Sequence, residues 1–319
     1  MTDQTAFPRT EAARVTPPRR RIPAETVAFS SLALVTLAAV GLGIPMPSPT
    51  VQIVLLGVLA GALGLPHGAL DPLIARRAGL WRTPLGFAGF NAVYILVVVG
   101  VVMLWLVAPV PSLVAFLLVS ALHFGSDWNA DRAIWLRFLA GFGLLTVPAL
   151  SHPDQVSAIY VVLAGDGGAL VASVQEWLGP LAVTGLLLAA LVALRHRPNE
   201  SVEIVLAAVL GLATEPLVFF VLYFCALHSF RHLKAGFHDE RGGGRRTALV
   251  VVVYTAVPLL TVGGFLVAFG PESLSEQILQ LVFIGLAGLT VPHMMVVTYE
   301  NRQRRAVRAV PRSVSGETR

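Results

Sequence analysis

Ten apolar runs divide this chain, and 21 of its 23 Lys and Arg residues fall between them or at the termini, the other two, Arg137 and Arg231, lying near run ends. The runs occupy 27–46, 51–70, 85–108, 112–127, 135–150, 178–194, 202–213, 216–233, 247–269 and 277–298. A helix needs about 20 apolar residues to cross the hydrocarbon layer, somewhat fewer when its ends lie in protein or in the interface. Composition agrees, with 55% hydrophobic and only 13% charged residues, where a soluble domain carries roughly 25% charged. An ordinary soluble enzyme and a disordered chain are excluded. The predicted fold is all-α, a polytopic integral membrane helix bundle with about ten transmembrane segments.

The basic residues orient that bundle, because cytoplasmic loops collect Lys and Arg. With the N-terminus cytoplasmic, 5 lie before the first span, 3 at 76–82, 2 at 132–137, 2 at 195–197, 5 at 231–246 and 6 after 298. The opposite loops, 47–50, 109–111, 151–177, 214–215 and 270–276, hold none. A single span over 202–233 would put Arg231, Lys234, Arg241, Arg245 and Arg246 on the wrong side. Thr214-Glu215-Pro216 therefore reads as a turn, with proline opening the next helix. The segment 202–213 is a short span or a re-entrant half-helix, and both termini are cytoplasmic.

Residues 1–26 form a basic cytoplasmic arm, 27–299 a single membrane-embedded domain and 300–319 a basic tail expected to be disordered and drawn to anionic lipid. The outer segment 151–177, mildly amphipathic over 154–164, lies on the membrane surface or dips back as a cap. No cleaved signal peptide is expected, since residues 1–25 are polar and the first apolar run is about a full crossing. The location is the cell membrane, multi-pass. The net charge of +5 concerns orientation, and no nucleic-acid partner is expected. The lone Cys225 excludes a disulfide framework or a cysteine-held metal.

Five of the 8 histidines lie in or at the ends of spans: His67, His123, His228, His232 and His293. Ionisable groups inside a membrane are costly and point to function. His67 follows Val51 by 16 residues, His123 follows Ser112 by 11, His228 and His232 follow Pro216 by 12 and 16, and His293 follows Gln277 by 16. Those spacings are rises of roughly 17–24 Å on four helices that all run inward, so the five imidazoles share one depth. The topology rests on Lys and Arg alone, so this layering supports it independently.

His228 and His232 stand at i and i+4, on one face of one helix, a spacing that lets two imidazoles hold one metal. A structural pairing would explain the two alone; with His67 and His123 at the same level, a metal centre is the better reading. Asp71 and Asp127 each follow a histidine by four residues. They are candidates to accept the second imidazole N–H of a ligating histidine, which sets its tautomer; helix-end residues facing water are the alternative. An all-imidazole set favours iron, copper, zinc or nickel over Mg²⁺ or Ca²⁺.

Gly57, Gly61, Gly64 and Gly68 would let a neighbouring helix approach closely. Phe124, Phe219, Phe220, Tyr223, Phe224 and Phe230 cluster near the histidines and are candidates to line a slot for a long apolar ligand, with core or lipid packing as the alternative.

The blocks Gly64-Leu65-Pro66-His67-Gly68-Ala69-Leu70-Asp71, His123-Phe124-Gly125-Ser126-Asp127, His228-Ser229-Phe230-Arg231-His232 and Pro292-His293-Met294 resemble, in order, those of the Brp/Blh family of integral-membrane β-carotene dioxygenases. The resemblance spans the chain from the second run to the last. It implies cleavage of the central 15,15′ double bond of β-carotene by O₂ to two retinal molecules, with Fe²⁺ as cofactor. Carried over residue by residue, it implies His67, His123, His228 and His232 as iron ligands. His293 joins them in the catalytic set as an orienting or substrate-side residue, or as a fifth ligand. A rhodopsin receiving the retinal is the downstream partner such an activity would serve. A carotenoid- or retinal-binding transport protein without turnover and a bis-histidine haem protein are the alternatives. A two-iron lipid hydroxylase fits less well, because only one closely spaced histidine pair is present.

Overall fold

The computed structural model describes residues 22–129, 132–240, 244–269 and 274–309, and these are helical apart from short connections. In chain order the helices are α1 (Ala24–Gly41), α2 (Pro49–Leu59), α3 (Leu65–Gly68), α4 (Asp71–Arg77), α5 (Pro84–Val107), α6 (Pro109–Phe124) and α7 (Ser126–Asn129). There follow α8 (Ile134–Ser151), α9 (Pro153–Ala164), α10 (Gly167–Leu194), α11 (Pro198–Ala213), α12 (Pro216–Tyr223), α13 (Phe230–Asp239), α14 (Gly244–Phe269) and α15 (Leu274–Ala309). Two π-helical segments interrupt them, Ala60–Gly64 between α2 and α3 and Phe224–Ser229 between α12 and α13.

Proline opens α2, α5, α6, α9, α11 and α12. Its fixed φ suits the first helical turn, and the N–H it lacks has no partner there. Among the described residues, eight helices are long and apolar enough to cross a membrane. The other two expected spans are shorter: Pro49–Gly64, which α3 extends towards His67, and the 16-residue α11.

Several boundaries differ from the sequence reading. The segment 202–213 is the short helix expected there, α11, which begins four residues earlier at Pro198 and is set off from α12 by Thr214 and Glu215. The span expected at 178–194 begins at Gly167, with Pro180 inside α10; proline is tolerated within such helices when local adjustments satisfy the backbone around it. Of the outer segment, only Pro153–Ala164 is a separate helix, and it packs against α10. At the other end α15 continues to Ala309, so the first half of the segment expected to be disordered is helical. Residues 1–21 of the arm and 310–319 of the tail lie outside the described residues.

The core sits where α1, α8, α10, α11 and α12 meet, with Phe29, Leu144, Leu186, Ile204 and Leu210 fully buried. A second cluster joins α5, α6 and α9 around Trp105 and Leu113. By contrast α5 and α14 turn most of their apolar surface outward, as lipid-facing helices do. Lipid tails are as apolar as leucine, so helix association here depends on close packing and interhelical hydrogen bonds. Gly64 shows the first: a Cβ there would meet the Phe224 ring at 2.5 Å, so glycine lets the two π segments touch.

Candidate metal centre

Two π segments flank the histidine layer. The first, Ala60–Gly64, ends two residues before Pro66-His67; the second contains His228. An extra residue in a helical turn re-aims the side chains around it, and such bulges recur at functional sites. Here the second one turns His228 towards the end of α6, where His123 sits.

Four imidazoles converge. The His123 ring lies 4.7 Å from that of His228, 5.8 Å from His232 and 5.3 Å from His293, centroid to centroid. His228 and His232 are 4.6 Å apart. His123, His228 and His293 are buried, and only the His232 side chain keeps some exposure. His67 stands on α3, beside this group in the fold; its side chain lies outside the described residues.

The two aspartates serve histidines of other helices. Asp127, on α7, has Oδ2 2.9 Å from His228 Nδ1 and Oδ1 3.2 Å from His232 Nε2. The Tyr223 hydroxyl donates to the same Oδ2 at 2.6 Å. Asp71 accepts from His293 Nδ1 at 2.7 Å and from the Tyr94 hydroxyl at 2.8 Å. Each aspartate therefore orients a ring brought from a distant helix, which fixes the tautomer and presents the opposite nitrogen.

Behind Asp127 stands a buried ionic layer. Glu203 on α11 accepts from Arg231 through both oxygens at 2.8 Å, from Trp128 Nε1 at 2.9 Å and from the Thr26 hydroxyl. Arg231 also donates to the Asp127 backbone carbonyl at 3.0 Å. A buried ion pair holds only when its remaining polar atoms are satisfied, and here nearly every one is. The histidine pattern alone reveals none of Glu203, Arg231, Tyr223 or Tyr94. Glu203 carried a usable signal, being an acidic residue within an apolar run, the same sign that singles out the histidines.

These residues suit a transition-metal ion. The ligand atoms of Asp127, His228 and His232 lie within 4.8 Å of one another, and bonds of about 2 Å from one ion put opposed donors about 4 Å apart. Asp127 accepts from the Tyr223 hydroxyl and contacts the His228 and His232 rings.

An apolar cavity abuts the layer, with His123 and His293 in its wall beside Phe124, Phe220 and Phe224. Phe219 lines the cavity next to it. Tyr223 and Phe230 line neither: Tyr223 points its hydroxyl at Asp127, and Phe230 is 39% exposed. Gly57, Gly61 and Gly64 sit against Ile278, Leu259 and Phe224, whereas nothing approaches Gly68.

The sequence model of the family described as β-carotene 15,15′-dioxygenase matches residues 58–299, which contain all five histidines of the layer. The chain belongs to this family. Among its relatives, the β-carotene 15,15′-dioxygenase of an uncultured marine bacterium, 66A03, is 29% identical over 246 residues, covering 74% of this chain and 90% of its own length. The probable β-carotene 15,15′-dioxygenase Blh of Halobacterium salinarum is 28% identical over 341 residues, covering 92% of this chain and 96% of its own. No solved structure matches. The region shared with the dioxygenase family begins just before the first π segment and ends at Tyr299, beyond His293.

Proposed function

We propose that the chain is an iron-dependent membrane dioxygenase that splits the central 15,15′ double bond of β-carotene with O₂, giving two molecules of all-trans retinal. The carbon–carbon double bond breaks and each carbon takes one oxygen atom of O₂, so no other reductant or oxidant is needed. The observation that carries this reading is the convergence of His123, His228, His232 and His293 at the wall of an apolar cavity, in a chain of this family.

His67, His123, His228 and His232 would hold Fe²⁺. When bound, the iron supplies O₂ activation. Asp127 and Tyr223 fix the His228 ring, and Arg231 with Glu203 holds the Asp127 backbone in place. His293, fixed by Asp71 and Tyr94, faces the cavity as a substrate-side residue. Phe124, Phe220 and Phe224 exclude water and present ring faces to a polyene. A substrate dissolved in the bilayer needs an apolar route between helices, so the apolar bulk of this chain serves both spanning and delivery. The site lies towards the cytoplasmic side of the cell membrane, with both termini cytoplasmic, and a rhodopsin is the partner that retinal would serve.

Expression in carotene-producing bacteria tests this. The orange colour should bleach while retinal accumulates. Persistent colour with good membrane expression would shift the assignment to a carotenoid-binding protein without turnover.

A further inference from the structure

Through Phe116, Ser120, Phe124 and Phe220 the cavity beside the histidines shares its wall with a second apolar cavity between α6, α8, α9 and α12. None of the residues lining this second space is exposed. Its far wall is one face of α9: Val156, Tyr160 and Leu163, at i, i+4 and i+7. A third cavity shares Phe116 with the other two and has the exposed Leu104 and Ala115 at its rim, on the lipid-facing side between α5 and α6. A cavity on the lipid-facing side and an interior chamber thus both border the histidine-lined cavity.

The far wall is held in place. The Tyr160 hydroxyl donates to Gln175 Oε1 at 2.6 Å, and Trp105 Nε1 donates to the Leu163 carbonyl at 2.8 Å. With its hydroxyl so engaged, Tyr160 leaves the chamber an almost wholly hydrocarbon lining. Ten residues of α6 separate Leu113, in the chamber wall, from His123. That is about 15 Å at the helical rise, a length on the scale of one half of a rod-like polyene.

We propose that this chamber receives one apolar end of the substrate, and that the α9 face stops its advance and so determines which double bond reaches the histidine layer. The proposal rests on the cleavage reading above. Val156 and Leu163 are then specificity-determining residues remote from the reacting bond, and central cleavage follows from chamber depth. A misplacement of about 1 Å is enough to cost a large factor in rate, so a wall of fixed position is an effective register.

Two variants and two readouts test it. Leu163→Ala deepens the chamber and should give unequal apocarotenal products beside retinal, with iron content retained. Leu163→Trp fills it and should lower both β-carotene cleavage and the amount of β-carotene retained by the purified protein, each roughly ten-fold or more, the scale of pocket-shape discrimination. Retinal as sole product from a folded Leu163→Ala, together with undiminished carotenoid retention by Leu163→Trp, would overturn the proposal. Carotenoid retention needs no turnover. A wild-type protein that binds β-carotene without cleaving it would remove the dioxygenase reading and leave the chamber to be judged by the retention of Leu163→Trp.

Discussion

Asp127 Oδ2 lies 2.9 Å from His228 Nδ1, although 101 residues separate the two. The bond joins the short helix after α6 to the second π segment, so it both closes the fold and aims an imidazole. Tyr223, one turn before His228, reinforces it through the same oxygen. Because the carboxylate accepts from Nδ1, the opposite nitrogen of the ring is the one offered for binding.

Replacing Asp127 by Asn keeps the shape but removes the charge that anchors His228. Loss of an orienting carboxylate of this kind costs 10–100-fold in metal affinity or activity. Iron content and retinal formation should fall together in Asp127→Asn. Wild-type values of both would show that the contact is incidental.

His293 should separate from the other histidines. It lines the cavity and is held by Asp71 rather than by Asp127. His293→Ala is expected to keep its iron and lose turnover, as measured by metal analysis alongside product assay. Iron loss equal to that of a His228 variant would make it a ligand.

Glu203 should matter for stability more than for chemistry. Removing one partner of a buried ion pair leaves the other uncompensated, at about 3–5 kcal/mol. Arg231 is the group left behind, with 20% of its side chain exposed against 1% for Glu203. Thermal unfolding in detergent should therefore show Glu203→Ala as strongly destabilised and Glu203→Gln as less so. Equal melting temperatures for both variants and the wild type would remove the ionic layer from the account.

Gly64→Ala tests the contact between the π segments. Its Cβ would press on the Phe224 ring at 2.5 Å, and overpacking of this sort costs about 1–3 kcal/mol. A lower melting temperature and slower turnover are expected, while Gly68→Ala, with open space around it, should melt like the wild type.

Much of this was readable in one dimension. Apolar runs are local features, and they anticipate α5, α8 and α14 closely. The histidines stood out because ionisable groups in such runs are rare. The exact pairings were not readable: the sequence allows Asp71 and Asp127 to serve their own or a neighbouring histidine, and tertiary packing gives them His293 and His228. The π segments left no sequence mark, since one extra residue in a turn changes no hydropathy pattern. Tyr223 looked like another ring in an aromatic cluster, and only its hydroxyl's partner shows that it belongs to the histidine layer.

If these histidines hold iron for carotenoid cleavage, iron content and retinal formation should be lost together. Both are measured in the same purified preparations of wild type and His228→Ala. The wild type should carry stoichiometric iron and convert β-carotene to retinal, and His228→Ala should lack both while remaining folded. Full activity in a His228→Ala protein that contains no iron would contradict that role for the histidines.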